Sequence, residues 1–176
     1  MYNLEGKFVK FQLVQEEDIE FIVKIRNNHK HKRNLSVSAS NYEDQRKWLV
    51  EYKKREENEE DFYFLIKDKK TDEKIGLVRV YDIQEDNSFE QGSLVLKEGY
   101  SSNYILEVLL LSYKFAFGTL GLEKGRLRVK LENKVGNKFH KNYGAILYKQ
   151  DNELKYYHFG NEVLDNLEKI LLMYGE

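Results

Sequence analysis

The chain has 176 residues, about the length of a single domain, and its 29 Lys+Arg against 30 Asp+Glu leave a net charge of −1. That balance lacks the basic excess of a nucleic-acid binder, so no nucleic-acid partner is expected. The absence of cysteine removes disulfide frameworks, thiol nucleophiles and zinc-finger spacings, while 41% hydrophobic residues, with 13 Tyr and 10 Phe among the aromatics, suffice to bury a core.

In chain order, the start MYNLEGKF carries no apolar segment of signal-peptide type, which predicts a cytoplasmic location. Residues 6–13 alternate loosely enough around Phe8 and Lys10 for a first strand, and EEDIEFIVKIRNN then sets Ile19, Ile22 and Val23 on one helical face. From Asn27 to Ser40 the chain is polar and without period. Ser40 and Glu43 have capping-box spacing ahead of Tyr42, Trp48, Leu49 and Tyr52, which predicts a second helix from about Asn41. It runs out in KKREENEED, the mixed-charge pattern of a solvated helix end. Residues 62–67, 75–83 and 89–96 read as three consecutive strands of an antiparallel meander, the first two joined by the polar turn DKKTDE.

Over 102–120 the residues Ile105, Val108, Leu109, Phe115 and Ala116 follow helical spacing, and Leu110 with Leu111 widens the apolar arc, so this helix is expected deepest in the core, stopped by Gly121. Its apolar stretch 104–117 is broken by Glu107 and Lys114 and is too short to cross a bilayer, so no membrane partner is expected. A strand at 125–133, a short helix over KVGNKFHKNY closed by Gly144, a strand pair AILYKQ and LKYYHF, and a terminal amphipathic helix complete the chain. No repeat or low-complexity linker divides it, which predicts one domain over 1–176.

Chemistry concentrates in residues 90–145. A strand-to-helix junction exposes the first unpaired N–H groups of the helix at its positive dipole end, a ready anion site. LKEGYSSN places Gly99, Ser101, Ser102 and Asn103 there, small or turn-tolerant residues that let a ligand approach the backbone. The plainer reading of the same loop is a turn with a Ser or Asn cap. In the short helix, at about 100° per residue, Asn133, Asn137 and His140 share a stripe, with Val135, Phe139 and Tyr143 roughly 120° round from it. One stripe is expected to pack and the other to meet a ligand.

The order of elements, together with FEQGSLVLKEG, ENKVGNKFHKNYGA, the early Arg26-Asn27-Asn28 and the WLVEY helix, resembles the GNAT superfamily of acetyl-CoA-dependent N-acetyltransferases. The likeness is to the bacterial branch that includes protein N-terminal acetyltransferases and the amino-sugar N-acetyltransferases of surface-glycan pathways. It implies a mixed α/β (α+β) fold with a mostly antiparallel central sheet flanked by helices, and transfer of an acetyl group from acetyl-CoA to a primary amine.

By that resemblance the backbone of Ser93, Leu94, Val95 and Leu96 pairs with the pantetheine amides, and Asn133, Asn137 and Phe139 also meet the coenzyme. Tyr100, Ser101, Ser102, Asn103 and Tyr104 take the pyrophosphate, with Ser and Asn in place of the family's Gly-x-Gly. His140 stands where the superfamily often has a tyrosine beside the coenzyme sulfur. A thiolate of pKa about 8.5 leaves there, and a histidine near 6.5 serves as proton donor at neutral pH; the alternative is a partly buried histidine satisfied by a backbone carbonyl. Glu90 is the implied base toward the acceptor amine, directly or through water, or else the ion-pair partner of a neighbouring strand.

Arg26, Asn27, His29, Tyr81 and Tyr157 are the acceptor-side candidates. His29 and His31 lack a third ligand at useful spacing, so no metal site is expected, and Trp48 reads as core. The expected acceptor is a small-molecule amine, an amino sugar linked to a nucleotide. A protein N terminus and a non-catalytic CoA-binding or interaction module are the alternatives, and a monomer or homodimer is expected.

Overall fold

The computed structural model describes residues 2, 4–28 and 41–174. Its elements are β1 (Val9–Leu13), α1 (Ile19–Asn27), α2 (Tyr42–Glu57), β2 (Phe62–Asp68), β3 (Lys74–Tyr81), β4 (Ser88–Leu96), α3 (Ser102–Tyr113), β5 (Lys124–Lys130), α4 (Lys134–Asn142), β6 (Ile146–Gln150), β7 (Leu154–Phe159) and α5 (Glu162–Tyr174). The seven strands form one sheet in the order β1-β2-β3-β4-β5-β7-β6. Every neighbouring pair is antiparallel except β4 and β5, so the mixed, mostly antiparallel sheet read from the sequence is the one that forms.

Short polar turns close the meander. Between β2 and β3 the Asp68 carboxyl accepts the N–H groups of Lys70 and Thr71 at 2.9 and 2.8 Å, and Asp72 takes a positive φ of 62°, a geometry Asp tolerates. A parallel pair cannot be joined this way and needs a crossover, which α3 supplies with a π-helical turn over Lys114–Thr119. That turn departs from the continuous helix predicted to Leu120. Its wider winding, seen in the Leu120 N–H to Phe115 O bond of 3.0 Å, drops Phe115 against Phe62 and Phe64 with ring centroids 4.9 and 5.1 Å apart. Gly121, at φ +68°, then stops it as expected.

Each sheet face is covered differently. Ile19, Ile22 and Ile25 of α1 and Leu49 and Tyr52 of α2 bury against Tyr63, Leu65, Leu77 and Val95; Ile25 takes the place predicted for Val23, which is half-buried. Ser40, the expected capping-box residue, lies outside the described residues, and the helix starts where predicted. Asn41 caps the helix, accepting the Asp44 N–H at 2.9 Å, and Tyr42 is exposed. On the opposite face α3 and α5 cover the larger core, which includes Phe64, Val80, Phe89, Leu127 and Tyr157. Because β2 is covered on both sides, its FYFLIKD reads as an almost unbroken apolar run. No helix among the described residues is long and apolar enough to cross a membrane.

One buried polar group ties the beginning of the chain to α3. The Glu107 carboxyl accepts backbone N–H groups from Lys7, Phe8 and Val9 at 2.7, 2.7 and 2.8 Å, and Gly6 passes so close that a side chain there would collide with it. Hydrogen bonds to a carboxylate are stronger than neutral ones, and a buried N–H left without an acceptor is costly. Replacing one carboxyl oxygen by an NH2 group in Glu107→Gln is expected to destabilise the fold by about 2 kcal/mol, read as a lower urea midpoint with an unchanged slope. An unchanged midpoint would show that these bonds contribute nothing net.

Candidate active site

β4 and β5 pair only where Ser88, Phe89 and Glu90 face Lys124, Gly125 and Arg126. Immediately beyond, the register of β4 on β3 shifts: Arg79 faces Gly92 and Leu77 faces Val95, so Val78 alone stands opposite Ser93 and Leu94. This is a bulge, with Ser93 at φ +52°, and a bulge bends its strand. The strands part around a cavity of about 500 Å³ whose β4 wall includes Ser93, Leu94, Val95 and Leu96 and whose β5 wall includes Leu127 and Val129. The edge of β4 facing it has no β5 partner and presents main-chain donors and acceptors. These four expected residues are therefore brought to one surface, joined by Gln91, Gly92, Leu127 and Val129, which sequence reasoning missed because strand separation leaves no mark on side-chain pattern.

The N-terminus of α3 stands at one end of the gap. Ser101, the N-cap, is extended and its side chain makes no capping bond; its carbonyl accepts the Tyr104 N–H at 3.0 Å, so of the N–H groups expected to take a pyrophosphate that of Tyr104 is engaged within the turn. Tyr100 and Ser102 line the cavity, as does Lys97, and Gly99 turns the chain at φ +93° with open space around it. Asn103 and Tyr104 bring only their backbones to the junction. The Asn103 amide donates to the Tyr174 carbonyl at 2.8 Å, and the Tyr104 hydroxyl donates to Asp68 at 2.8 Å, a bond that pushes the phenol up to about 12.

Along α4 the two stripes hold in part: Asn133 and His140 line the cavity and Tyr143 packs as expected, whereas Val135 and Asn137 exchange places. Asn133 caps the helix through the Gly136 N–H at 2.9 Å and also lines the cavity, together with Val135, Gly136, Phe139 and His140. Asn137, expected to meet the coenzyme, is buried instead. Its amide donates to the Lys130 and Asn133 carbonyls at 2.9 and 2.8 Å, and its oxygen accepts the Tyr157 hydroxyl at 2.6 Å. Tyr157 is fully buried, so it is a core residue and not the acceptor contact expected of it. The exchange has a simple cause: an apolar cleft wall and a core ask for the same side chains, so Val135 and Phe139 face the cleft while an asparagine satisfies the carbonyls at the end of β5.

His140 reaches the cavity with its Nδ1 2.6 Å from the Tyr143 hydroxyl, which lies 2.9 Å from the Tyr113 hydroxyl. Both tyrosines are buried, and burial raises both phenols. Desolvation lowers His140 to about 4, because burial disfavours the charged ring. A ring lowered in this way is neutral at pH 7, unlike the protonated donor expected from the sequence, and its partner is a tyrosine hydroxyl where the alternative reading had a backbone carbonyl.

Glu90 lies beside the point where the strands separate, buried and outside the cavity lining. Its Oε1 accepts the Tyr81 hydroxyl at 2.9 Å and the Arg128 Nε at 2.5 Å, and its Oε2 lies 4.0 Å from the Arg126 guanidinium. The ion pair with a neighbouring strand is thus realised, and Arg126 and Arg128 are site residues that sequence reasoning did not single out. Tyr81 also lies outside the lining; its ring sits under the Arg79 guanidinium at 4.3 Å, Arg79 pairs with Asp61, and Trp48 stacks 5.3 Å from Tyr52 in the same cluster. Arg26 is buried at the end of α1, where it donates to the Tyr63 hydroxyl at 3.5 Å, and the neighbouring Asn27 is half-buried; neither lines the cavity. His29 and His31 lie outside the described residues.

The sequence profile of the acetyltransferase (GNAT) domain matches residues 9–146. In structure the chain is similar to apo FdhC, a nucleotide-linked sugar GNAT, with a TM-score of 0.85 and 34% identity over 99% of this chain and 97% of that one. It shares its fold with the spermidine N-acetyltransferase from Vibrio cholerae in complex with CoA and spermine, at a TM-score of 0.77 and 16% identity over 90% and 99% of the two chains. A GCN5-related N-acetyltransferase from Brucella melitensis gives a TM-score of 0.77 at 13% identity over 98% and 85%. No curated protein matches the chain at a significant level. The profile match across most of the sequence and the 34% identity along nearly the whole length of a solved relative show that the chain belongs to the GNAT acetyltransferase family.

Proposed function

We propose that the protein is an N-acetyltransferase that moves an acetyl group from acetyl-CoA to the primary amine of a nucleotide-linked amino sugar. The observation that carries this reading is the gap between β4 and β5, apolar along its walls, with an unpaired strand edge on one side and a helix N-terminus at its end. Those features fit the group in turn. The edge of Ser93, Leu94, Val95 and Leu96 takes the amides of the arm as an added strand, Leu127, Val129 and Phe139 exclude water along it, and the N–H groups of Ser102 and Asn103 take the pyrophosphate. Since the donors are main-chain, serine and asparagine at the junction leave them in place. Bound there, acetyl-CoA supplies an acyl group already activated as a thioester.

The chain's own residues then handle proton and charge. A main-chain N–H of the bulged stretch polarises the acyl oxygen. Attack requires an uncharged amine, and Glu90 receives its proton through water at Oε2, which lies 4.0 Å from the Arg126 guanidinium. Tyr81 and Arg128 hold the other oxygen and so fix the carboxyl. The acceptor class is supported by the relative at 34% identity, a nucleotide-linked sugar GNAT. One observation favours a second reading, a CoA-binding module without chemistry: Glu90 Oε1 is already doubly engaged.

Two experiments separate these readings. Ser102→Asp sets a carboxylate among the first-turn N–H groups of α3, where it suits the helix dipole but competes with a pyrophosphate. Calorimetry should show acetyl-CoA binding weakened at least about tenfold with thermal stability kept, and equal binding would remove the diphosphate from that junction. Glu90→Gln should lower kcat on nucleotide-linked amino sugars about 100-fold with acetyl-CoA affinity unchanged. Coenzyme binding without turnover of any amine by the wild type would decide for the binding module.

A further inference from the structure

We propose that Tyr143 is a positioning residue: it holds His140 as the Nε2–H tautomer, so that the ring meets the reacting sulfur as a neutral hydrogen-bond donor and keeps its own proton. The inference rests on the acetyl-transfer reading for its role, and on proton counting for its substance.

Three polar groups stand in a row from the core to the cavity: the Tyr113 hydroxyl, the Tyr143 hydroxyl 2.9 Å away, and His140 Nδ1 a further 2.6 Å on. Both hydroxyls are buried, so each proton needs an acceptor. If the row runs outward, Tyr113 donates to Tyr143 and Tyr143 donates to Nδ1. Both hydroxyl protons are then paired, and the ring proton sits on Nε2. If it runs inward, Nδ1–H donates to Tyr143, Tyr143 donates to Tyr113, and the Tyr113 proton has no acceptor among the described residues. Leaving a buried donor unpaired is the costlier arrangement, so the outward direction wins and sets the tautomer.

The two ring nitrogens lie on opposite edges of the imidazole. With Nδ1 turned toward buried Tyr143, Nε2 is the nitrogen left for the cavity that His140 lines. A neutral imidazole N–H is far too weak an acid to protonate a thiolate whose conjugate acid has a pKa of about 8.5. The protons and electrons therefore move without it: the acceptor nitrogen bonds to the acyl carbon, the carbon–sulfur bond breaks with its electron pair on sulfur, and the surplus proton leaves from the nitrogen. Nε2–H hydrogen-bonds the sulfur as charge gathers there.

Long-range 1H–15N correlation spectra of the imidazole nitrogens in the ligand-free, 15N-labelled protein at pH 7 test this directly, with His140 assigned by its loss in His140→Gln. The wild type is expected to show a single Nε2–H tautomer at His140. In Tyr143→Phe, which keeps the ring and removes the donor, the signals should move to a mixture or to Nδ1–H, and kcat should fall about tenfold with the KM for acetyl-CoA held within about twofold. Tyr113→Phe should keep the Nε2–H tautomer, because Nδ1 is then the one acceptor left for the buried Tyr143 proton among the described residues. A wild-type ring carrying its proton on Nδ1, a wild-type mixture, or a tautomer unmoved by Tyr143→Phe overturns the proposal. The tautomer is read without coenzyme, so a protein that fails to acetylate any amine overturns the function and leaves this measurement standing.

Discussion

Two parallel strands that pair for three residues and then separate are the constraint on which the site depends. A continuous ladder between β4 and β5 would consume the main-chain groups that now face the cavity and leave no room between the strands. The separation is not a defect in packing, since Phe89, Leu96, Leu127 and Val129 all stay in the core beneath it. It is the bulge at Ser93 and Leu94 that lets β4 remain registered with β3 while turning from β5. The crossover helix required by a parallel pair lies under the opening, and its N-terminus comes to the end of the gap for the same topological reason.

Buried polar groups do the positioning around this gap. Asn137 joins the end of β5, the start of α4 and Tyr157 of β7 through three hydrogen bonds. Glu107 secures the first strand to the helix below the site. Glu90 gathers Tyr81 and Arg128 at the root of the fork. Each is a case in which desolvation is offset by well-formed partners, and each sets a direction that apolar packing alone would leave open.

Much of the fold was legible because its cause is local. Apolar runs and polar turns make the β2–β4 meander, an Asx residue caps α2 and α4, and a broad apolar arc sinks α3. What escaped has causes that side-chain pattern does not carry. Backbone donors are the same in every residue, so nothing in Leu94 or Leu127 announces that the strands separate between them. Glu107 looked like an interruption of an apolar run, because the N–H groups it collects lie about a hundred positions away. In α4 helical spacing set Val135 with the packing side, since a cleft wall and a core share a composition. Tyr157 had a usable signal: it alternates in phase with Phe159, so the two belong to one side of the sheet.

The fork is made of main chain, and that separates two requirements that many binding sites entangle. On the proposed reading, the grip on an extended arm would come from strand geometry, whereas the room left for what the arm carries would come from side chains such as Leu94, Leu127 and Phe139, which line the cavity. Exchanging those for bulkier or slimmer apolar residues would change the size of acyl group admitted while the handle by which every such donor is held stayed the same.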